Sequence, residues 1–282
     1  MARLNERVHV LLGPIQHANA RNQGYMINST VIVGDRGVVV VDSGGSLDVG
    51  RHLAAAVRRI TDQPVTHVVN THSHGDHYLG NGAFPGATIV SSETCRKLVG
   101  DTGREWVALM EHDIGHALPG TEPLAASVTY AERSRTPVTI GGVRIVFWVP
   151  AGSHTAGDLM VYLPDDKVLV TGDVLVNGIV PTLQDGFVRN WIRTLEEIEA
   201  LGDIRFVPGH GDPMSLREVA AFRATLARFY SGVKEGYRKR LSEEEIRRTV
   251  DVSAWSRLER PYVIGRNVNR AYLEAEADVF SE

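Results

Sequence analysis

The chain begins with short apolar runs broken by glycine and aspartate, the pattern of β-strands joined by tight turns. Thr30 to Val33 and Val38 to Val41 are two such runs, and Gly34-Asp35-Arg36-Gly37 between them reads as a turn. The second run is apolar at every position, which predicts a strand covered on both faces. From Asp48 to Ile60 the period changes, because Val49, Leu53, Ala56, Val57 and Ile60 recur at helical spacing and Pro64 follows the end. Thr66 to Val69 predicts a further strand that runs directly into Asn70-Thr71-His72. The middle is less regular, with short helices expected over Ser92 to Leu98 and Gly103 to Leu109 and a loop around Gly115 to Pro123. Strand patterns return at Val138 to Ile140, Val143 to Val149, Leu159 to Leu163 and Val168 to Val170. A helix from about Trp191 to Leu201 then precedes a strand at Arg205 to Val207.

One short echo is visible: Gly34 to Asp42 and Pro164 to Asp173 each run as turn, apolar strand and acidic residue, which hints at two similar β-rich halves. Beyond Ser215 the character becomes helical, with Val219, Phe222, Leu226 and Phe229 in one apolar stripe. The chain therefore divides into residues 1–214 and a helical extension, 215–282, expected to pack on the core. That stripe could serve a homodimer as well as a lid.

Composition narrows the function classes. The 282 residues, 43% of them hydrophobic, suffice for one large domain with an appendage. No apolar run approaches the roughly 18 residues of a membrane span, and Met1 to Arg7 lacks the run of a signal peptide. A cytoplasmic protein is expected, unless a presequence has been removed. Cys95 is the only cysteine, so an intramolecular disulfide and an all-cysteine zinc site are both excluded. It has no neighbouring base and reads as a buried structural thiol. A net charge of −4 offers no general attraction to nucleic acid or anionic membrane, and Glu243 to Glu245 interrupt the basic run from Lys234 to Arg248. The expected partner is a small-molecule substrate, with neither nucleic acid nor membrane.

The chemistry lies in Thr71-His72-Ser73-His74-Gly75-Asp76-His77, directly after an apolar strand. A strand end followed by a small-residue loop can aim several side chains at one point, whereas a helix would spread them around its axis. Imidazole and carboxylate suit borderline divalent metals such as zinc, and Gly75 would permit a sharp turn between the pairs. Three later candidates, His154, Asp173 and His210, each stand beside glycine and follow predicted strands. A lone loop histidine is usually a surface or capping residue, which is why the clustering carries the argument. His112 and His116 are four apart, but Gly115 and Pro119 weaken a helix there, and lining a pocket mouth suits them better than binding metal.

The string His72-x-His74-x-Asp76-His77, followed in order by His154, Asp173 and His210, resembles the metallo-β-lactamase superfamily; Val40-Val41-Asp42-Ser43-Gly44 is a further motif in the same order. The resemblance spans about residues 20 to 215. It implies an α/β (α+β) fold, a four-layer αββα sandwich, here with the helical C-terminal extension. It also implies two divalent metal ions, with His72, His74 and His154 on one, Asp76, His77 and His210 on the other, and Asp173 bridging. Zinc is favoured, while iron and manganese stay open because histidine and aspartate do not encode metal identity. Asp42 resembles a position that supports the site from behind the ligands, and an ordinary turn role is as reasonable.

The implied activity is hydrolysis of a small ester, thioester or lactone by a metal-bridging hydroxide, with Asp76 as ligand and orienting group. The bridging Asp173 sets the chain closer to glyoxalase- and lactonase-type members than to antibiotic-resistance β-lactamases, although weak promiscuous β-lactam cleavage is chemically reasonable. The alternatives are phosphodiester hydrolysis and a mononuclear iron enzyme similar to persulfide dioxygenases. Candidate substrate contacts are Tyr78, Asn177, Arg189 and Asn190, while Trp191 begins an amphipathic helix and is expected in the core.

Overall fold

Gly37–Val41 (β4) is buried at every position, as an uninterrupted apolar run requires. In the computed structural model, which describes residues 1–280, it lies in the middle of a seven-stranded sheet. Ala2–Arg3 (β1), Val8–Leu11 (β2) and Ser29–Gly34 (β3) lead to it as antiparallel neighbours. Val65–Val69 (β5), Thr88–Ser92 (β6) and Val128–Tyr130 (β7) extend the other side in parallel. A second, five-stranded sheet contains Ser134–Ile140 (β8), Val143–Val149 (β9), Met160–Leu163 (β10), Val168–Val176 (β11) and Arg205–His210 (β12). Its spatial order is β12-β11-β10-β9-β8, with only β11 and β12 parallel.

Alternation along the strands builds the layers. Val39 and Val41 turn inward with Ile32, Val69 and Val90 to meet Ile145, Phe147, Val161 and Val170 of the second sheet. Val38 and Val40 take the opposite face, against Leu53 and Val57 of the helix Leu47–Ile60 (α1). A one-turn helix, Gly75–Tyr78 (α2), and a long one, Glu93–Ile114 (α3), lie on the same side of the molecule and share a cluster of Tyr78, Leu79, Cys95, Val99 and Met110. The outer face of the second sheet presents Trp148, Met160 and Leu169. Val188–Glu199 (α4), Leu216–Arg238 (α5), Glu243–Thr249 (α6) and Ile264–Phe280 (α7) cover it, with Trp191, Leu195, Leu226, Phe229, Val268 and Ala271 in one continuous cluster. Each fully buried leucine, valine or phenylalanine stabilises the sandwich by about 1.5–3 kcal/mol relative to exposure. Among the described residues, no helix is long and apolar enough to cross a membrane.

The sequence echo marks matching hairpins. β3 and β4, like β10 and β11, form an antiparallel hairpin whose second strand also pairs in parallel with the next, β5 or β12. Those parallel partners carry the chain toward His72 and His210, so both halves deliver ligands from strand ends.

Two expected elements differ. The short helices at 92–98 and 103–109 are one helix, α3, capped by the Ser92 side chain and ended by Gly115 in the left-handed region (φ 87°). Gly103 does not break it, because a side chain there would collide with Pro123, so the glycine serves packing. The strand expected to stop at Val170 continues to Val176 through irregular register, with Gly172 at φ 54°. Asp173 therefore sits inside a kinked strand, and the kink re-aims it.

Candidate metal centre

The motif after β5 begins in a loop and ends on a helical turn. His74 is the N-cap of α2, which carries Asp76 and His77. The small-residue loop expected for the whole string is thus a loop joined to one turn of helix, with Asp76 in the favourable first turn. Gly75 has no positive φ; a Cβ there would crowd Trp106 and Leu79 at 3.0 and 3.1 Å, so close approach explains the glycine.

The seven predicted ligands converge. His72, His74 and His154 form one group able to hold a metal, with ligand atoms within 4.8 Å of one another, and Asp76, His77 and His210 form another. Asp173 lies between them: Oδ1 is 3.4 Å from His77 Nε2, and Oδ2 is 3.7 Å from His154 Nε2 and 3.4 Å from His210 Nε2. All are buried except His74, which is partly exposed. The flanking glycines permit the crowding, since a Cβ on Gly209 would collide with the Asp173 carboxylate and one on Gly172 with Thr71.

The outward nitrogens fix the tautomers. His77 Nδ1 donates to Asp42 Oδ2 at 2.8 Å, His210 Nδ1 to the Met26 carbonyl at 2.8 Å, and His154 Nδ1 to the Thr182 carbonyl at 3.2 Å. His74 Nε2 donates to Asp185 Oδ2 at 3.1 Å. The Thr71 hydroxyl gives its one proton to Asp42 at 2.8 Å, so it accepts from His72 Nδ1 at 3.0 Å. Each ring thereby turns its other nitrogen toward the centre. His72 Nε2, His77 Nε2 and Asp173 Oδ1 are buried without hydrogen-bond partners, and His74 Nδ1 faces His154 Nε2 at 3.1 Å. Lone pairs opposed at that distance are relieved by a cation.

The charges agree. Burial pushes His72 well below its ordinary value and His154 down to about 3, keeping both neutral as ligands must be. Burial also opposes charge on Asp76 and Asp173, but neighbouring imidazoles, His77 and His210 foremost, outweigh it and hold both carboxyls below their usual range. His77 moves the other way, up to about 10, because Asp76, Asp42 and Asp173 overcome its burial. Three carboxylates around one imidazole favour positive charge.

Supporting residues set these positions. Asp42, at φ 60°, accepts from the Thr71 amide, the Thr71 hydroxyl and His77, so it steadies both halves of the motif. Asp158 accepts from the Ser153 and Thr155 amides and the Thr155 hydroxyl, shaping the loop that presents His154. Burial pushes its carboxyl up to about 6 against those hydrogen bonds. Asn28 ties down Pro208 and Gly211 on either side of His210. Trp106 packs on His74 with ring centroids 4.9 Å apart, and buried Trp191 packs on His154 at 5.5 Å while its Nε1 donates to Val174. Sequence reasoning missed Asp158, Asp185, Asn28 and Trp106. Only Asp158, three residues after Thr155, had a local signal.

The candidate substrate contacts are not drawn into this cluster. Tyr78 is fully buried in the α2–α3 cluster, its hydroxyl without a hydrogen-bond partner among the described residues. Arg189 pairs with Asp278 at 2.6 Å, Asn190 donates to the Ala151 carbonyl, and the Asn177 side chain donates to the Asp212 carbonyl. His112 and His116 are exposed on or beyond the end of α3 and belong to none of the metal-capable groups. Cys95 is buried, and burial pushes its thiol up to about 12.

Two packed sheets with helices outside and a His/Asp cluster at their strand ends define a metal-binding αββα protein. The match to the family described as the metallo-beta-lactamase superfamily covers residues 23–210. The chain belongs to that superfamily, whose members matched here include metal-dependent hydrolases. It is similar to a linear primary-alkylsulfatase of Pseudomonas sp., 31% identical over 67% of this chain and 42% of the relative. A type 2 metallo-beta-lactamase of Bacillus cereus is 25% identical over 74% of each chain. The structure of a metallo-beta-lactamase family protein from Thermus thermophilus superposes with TM-score 0.69 at 17% identity, over 99% of this chain and 95% of that one. The chain spans 42% and 55% of the alkylsulfatase and of a similar 2,4-dinitroanisole O-demethylase subunit of Nocardioides sp..

Proposed function

We propose that the protein is a binuclear metal-dependent hydrolase that cleaves a small ester, thioester or lactone. The observation carrying this reading is the set of inward ring nitrogens, with outward nitrogens held by Thr71, Asp185, Asp42, Thr182 and Met26. His72, His74 and His154 would hold one cation, Asp76, His77 and His210 the second, and Asp173 would touch both. Zinc suits this imidazole and carboxylate set. Such a pair supplies Lewis acidity toward a substrate oxygen and lowers the pKa of water toward about 7. The protein's part is to keep its five imidazoles aimed, to orient the attacking water through Asp76, and to wall the site with Trp106.

A second reading, cleavage of a sulfate ester, is favoured by the 31% identity to the alkylsulfatase. Both readings use the same centre and differ in the group attacked, an acyl carbon in one and a sulfate ester in the other. The deciding experiment is metal analysis of protein purified without added metal, beside a panel of chromogenic carboxylic ester, thioester, lactone, β-lactam, sulfate ester and phosphodiester substrates. About two zinc per chain with carbonyl-ester turnover is expected. Turnover of the sulfate ester alone replaces the first reading by the second. Firmly held iron near one per chain without hydrolysis overturns both.

A further inference from the structure

A pocket of about 410 Å³ opens between the edge strand β8 and the helix α4, and none of the seven metal-capable residues lines it. Asn190, Arg193, Thr194 and Glu197 line one side. They recur at helical spacing, so a single face of α4 supplies them. The facing wall comes from Arg133, Ser134 and Arg135 at the start of β8 and from the end of β9, where Ser134 pairs with Val149 and Arg135 with Trp148. Trp148 and Thr194 are its buried members.

Contacts within the chain already set these walls. Asn190 Nδ2 donates to the Ala151 carbonyl at 3.1 Å, and the Ser153 and Thr194 hydroxyls bond at 2.9 Å, which pins α4 to the loop that follows β9. Arg135 crosses from sheet to helix: its guanidinium lies 3.8 Å from the Trp148 ring centroid, and its Nη2 donates to Glu197. Arg133 stands at φ 58° in a turn that Ser134 closes by donating to the Ala131 carbonyl. A cavity shaped in advance gives up little freedom when a ligand enters.

The charge on the walls is unbalanced. Three arginines line the pocket against one carboxylate, Glu197, which is already committed to Arg135. That leaves a local charge of +2 on a chain whose net charge is −4. The neighbouring acids are turned elsewhere, since Glu132 accepts from the Thr94 amide at 3.0 Å and Glu196 pairs with Arg223 at 3.8 Å. Among the described residues Arg133 and Arg193 form no ion pair and no side-chain hydrogen bond, and Arg135 uses only Nη2. All three arginines are exposed, so a solute meets their donors directly from solvent. A concave surface of one sign backed by buried apolar groups focuses its field into the cavity.

We propose that this pocket binds a small molecule carrying two or more negative charges on phosphate or carboxylate groups. Such oxyanions accept the short, charge-assisted bonds that guanidinium groups donate. Two charges are called for because Arg133 and Arg193 are both unmatched, and a monoanion satisfies only one of them. The site is separate from the metal centre and does not depend on what that centre cleaves.

Titration calorimetry on metal-loaded protein in low-salt buffer tests this with glycerol 2-phosphate and glutarate as dianions and acetate as the monoanion, on wild type, Arg133→Gln and Arg193→Gln. At least one dianion is expected to bind wild type more tightly than acetate does, and each substitution to weaken it by about tenfold or more. The tighter of the two dianions identifies the recognised group as phosphate or carboxylate. Both substitutions lie at exposed positions on separate elements, so melting temperature and metal content should match wild type. Anions held by the metals are lost to neither substitution. A dianion bound equally by all three proteins therefore overturns the proposal, as does a wild type that binds neither dianion more tightly than acetate.

Discussion

At His77 the electrostatics of the centre meet in one side chain. Its Nδ1 proton is committed to Asp42 at 2.8 Å, so the proton at issue is on Nε2, which has no hydrogen-bond partner. Burial alone would strip that proton, but Asp76, Asp42 and Asp173 hold it until about pH 10. The sign follows directly. At pH 8, below that value, the metal-free imidazole is protonated, and a cation must displace the proton to bind. His72 and His154, pushed down by burial, are already neutral and release nothing. Filling the site at pH 8 should release about two protons per chain, one from His77 and one from water whose pKa the metals lower toward about 7, and apparent affinity should weaken as pH falls. Titration calorimetry in buffers of different ionisation enthalpy reads this number, and binding without proton release would remove His77 from the ligand set. The histidines and aspartates of the cluster were legible in the sequence because metal chemistry demands particular side-chain types. The groups that orient them were not: Met26 and Thr182 act through backbone carbonyls, and Asp185 reaches His74 across 111 residues of chain.

Elements far apart in sequence hold the loop that supplies two of those groups. Asn267 on α7 accepts from the Leu183 amide at 2.9 Å and donates to the Pro181 carbonyl at 2.8 Å, both bonds buried, on either side of Thr182. Arg270 donates to the Gly186 carbonyl, and Glu274 accepts from the Val188 and Arg189 amides. α7 therefore braces the stretch from which Thr182 holds His154 and Asp185 holds His74. Asn267→Ala would leave a buried amide and carbonyl unsatisfied, at a cost of about 2 kcal/mol, or roughly 4–8 °C in Tm for a chain of this size. It should also weaken metal binding at the His72, His74 and His154 group more than at the other. Thermal melts with and without metal, with competition titrations, check this; a variant that melts like wild type would show that α7 does not brace the site. Nothing in the sequence pattern of α7 announces this role, since Asn267 is one polar residue on a helix face. Local pattern placed β3, β4, β5, β9 and β12 because strand burial alternates or runs unbroken in them. It misread α3 and β11, where a tertiary contact decides what a glycine does: Gly103 packs beneath Pro123, and Gly172 kinks a strand against Thr71.

Across the whole molecule the metal centre sits where the two sheets and both helical layers meet, so its occupancy should report on the entire fold. The cluster on the outer face of the second sheet runs from Trp148 and Leu169 through Trp191 to Phe229, Val268 and Ala275 without a break at residue 215. A helical layer that shares its core with the sheet cannot unfold alone without exposing that core, so one cooperative transition is expected. Metal linked to this transition acts by mass action. Free metal at about a thousandfold above Kd adds roughly 4 kcal/mol, which for a chain of this size is a rise in Tm of about 8–16 °C. Removing it leaves five imidazoles and two carboxylates facing one another. Calorimetric melts before and after chelation, with metal content measured on the same samples, read both expectations together. A single peak that drops by about this amount supports a centre built into the core of one folding unit. A chelated protein proved free of metal yet melting at the same temperature would mean that the cluster takes its stability from protons alone, and two resolved peaks would place the helical layer outside the folding unit of the sheets.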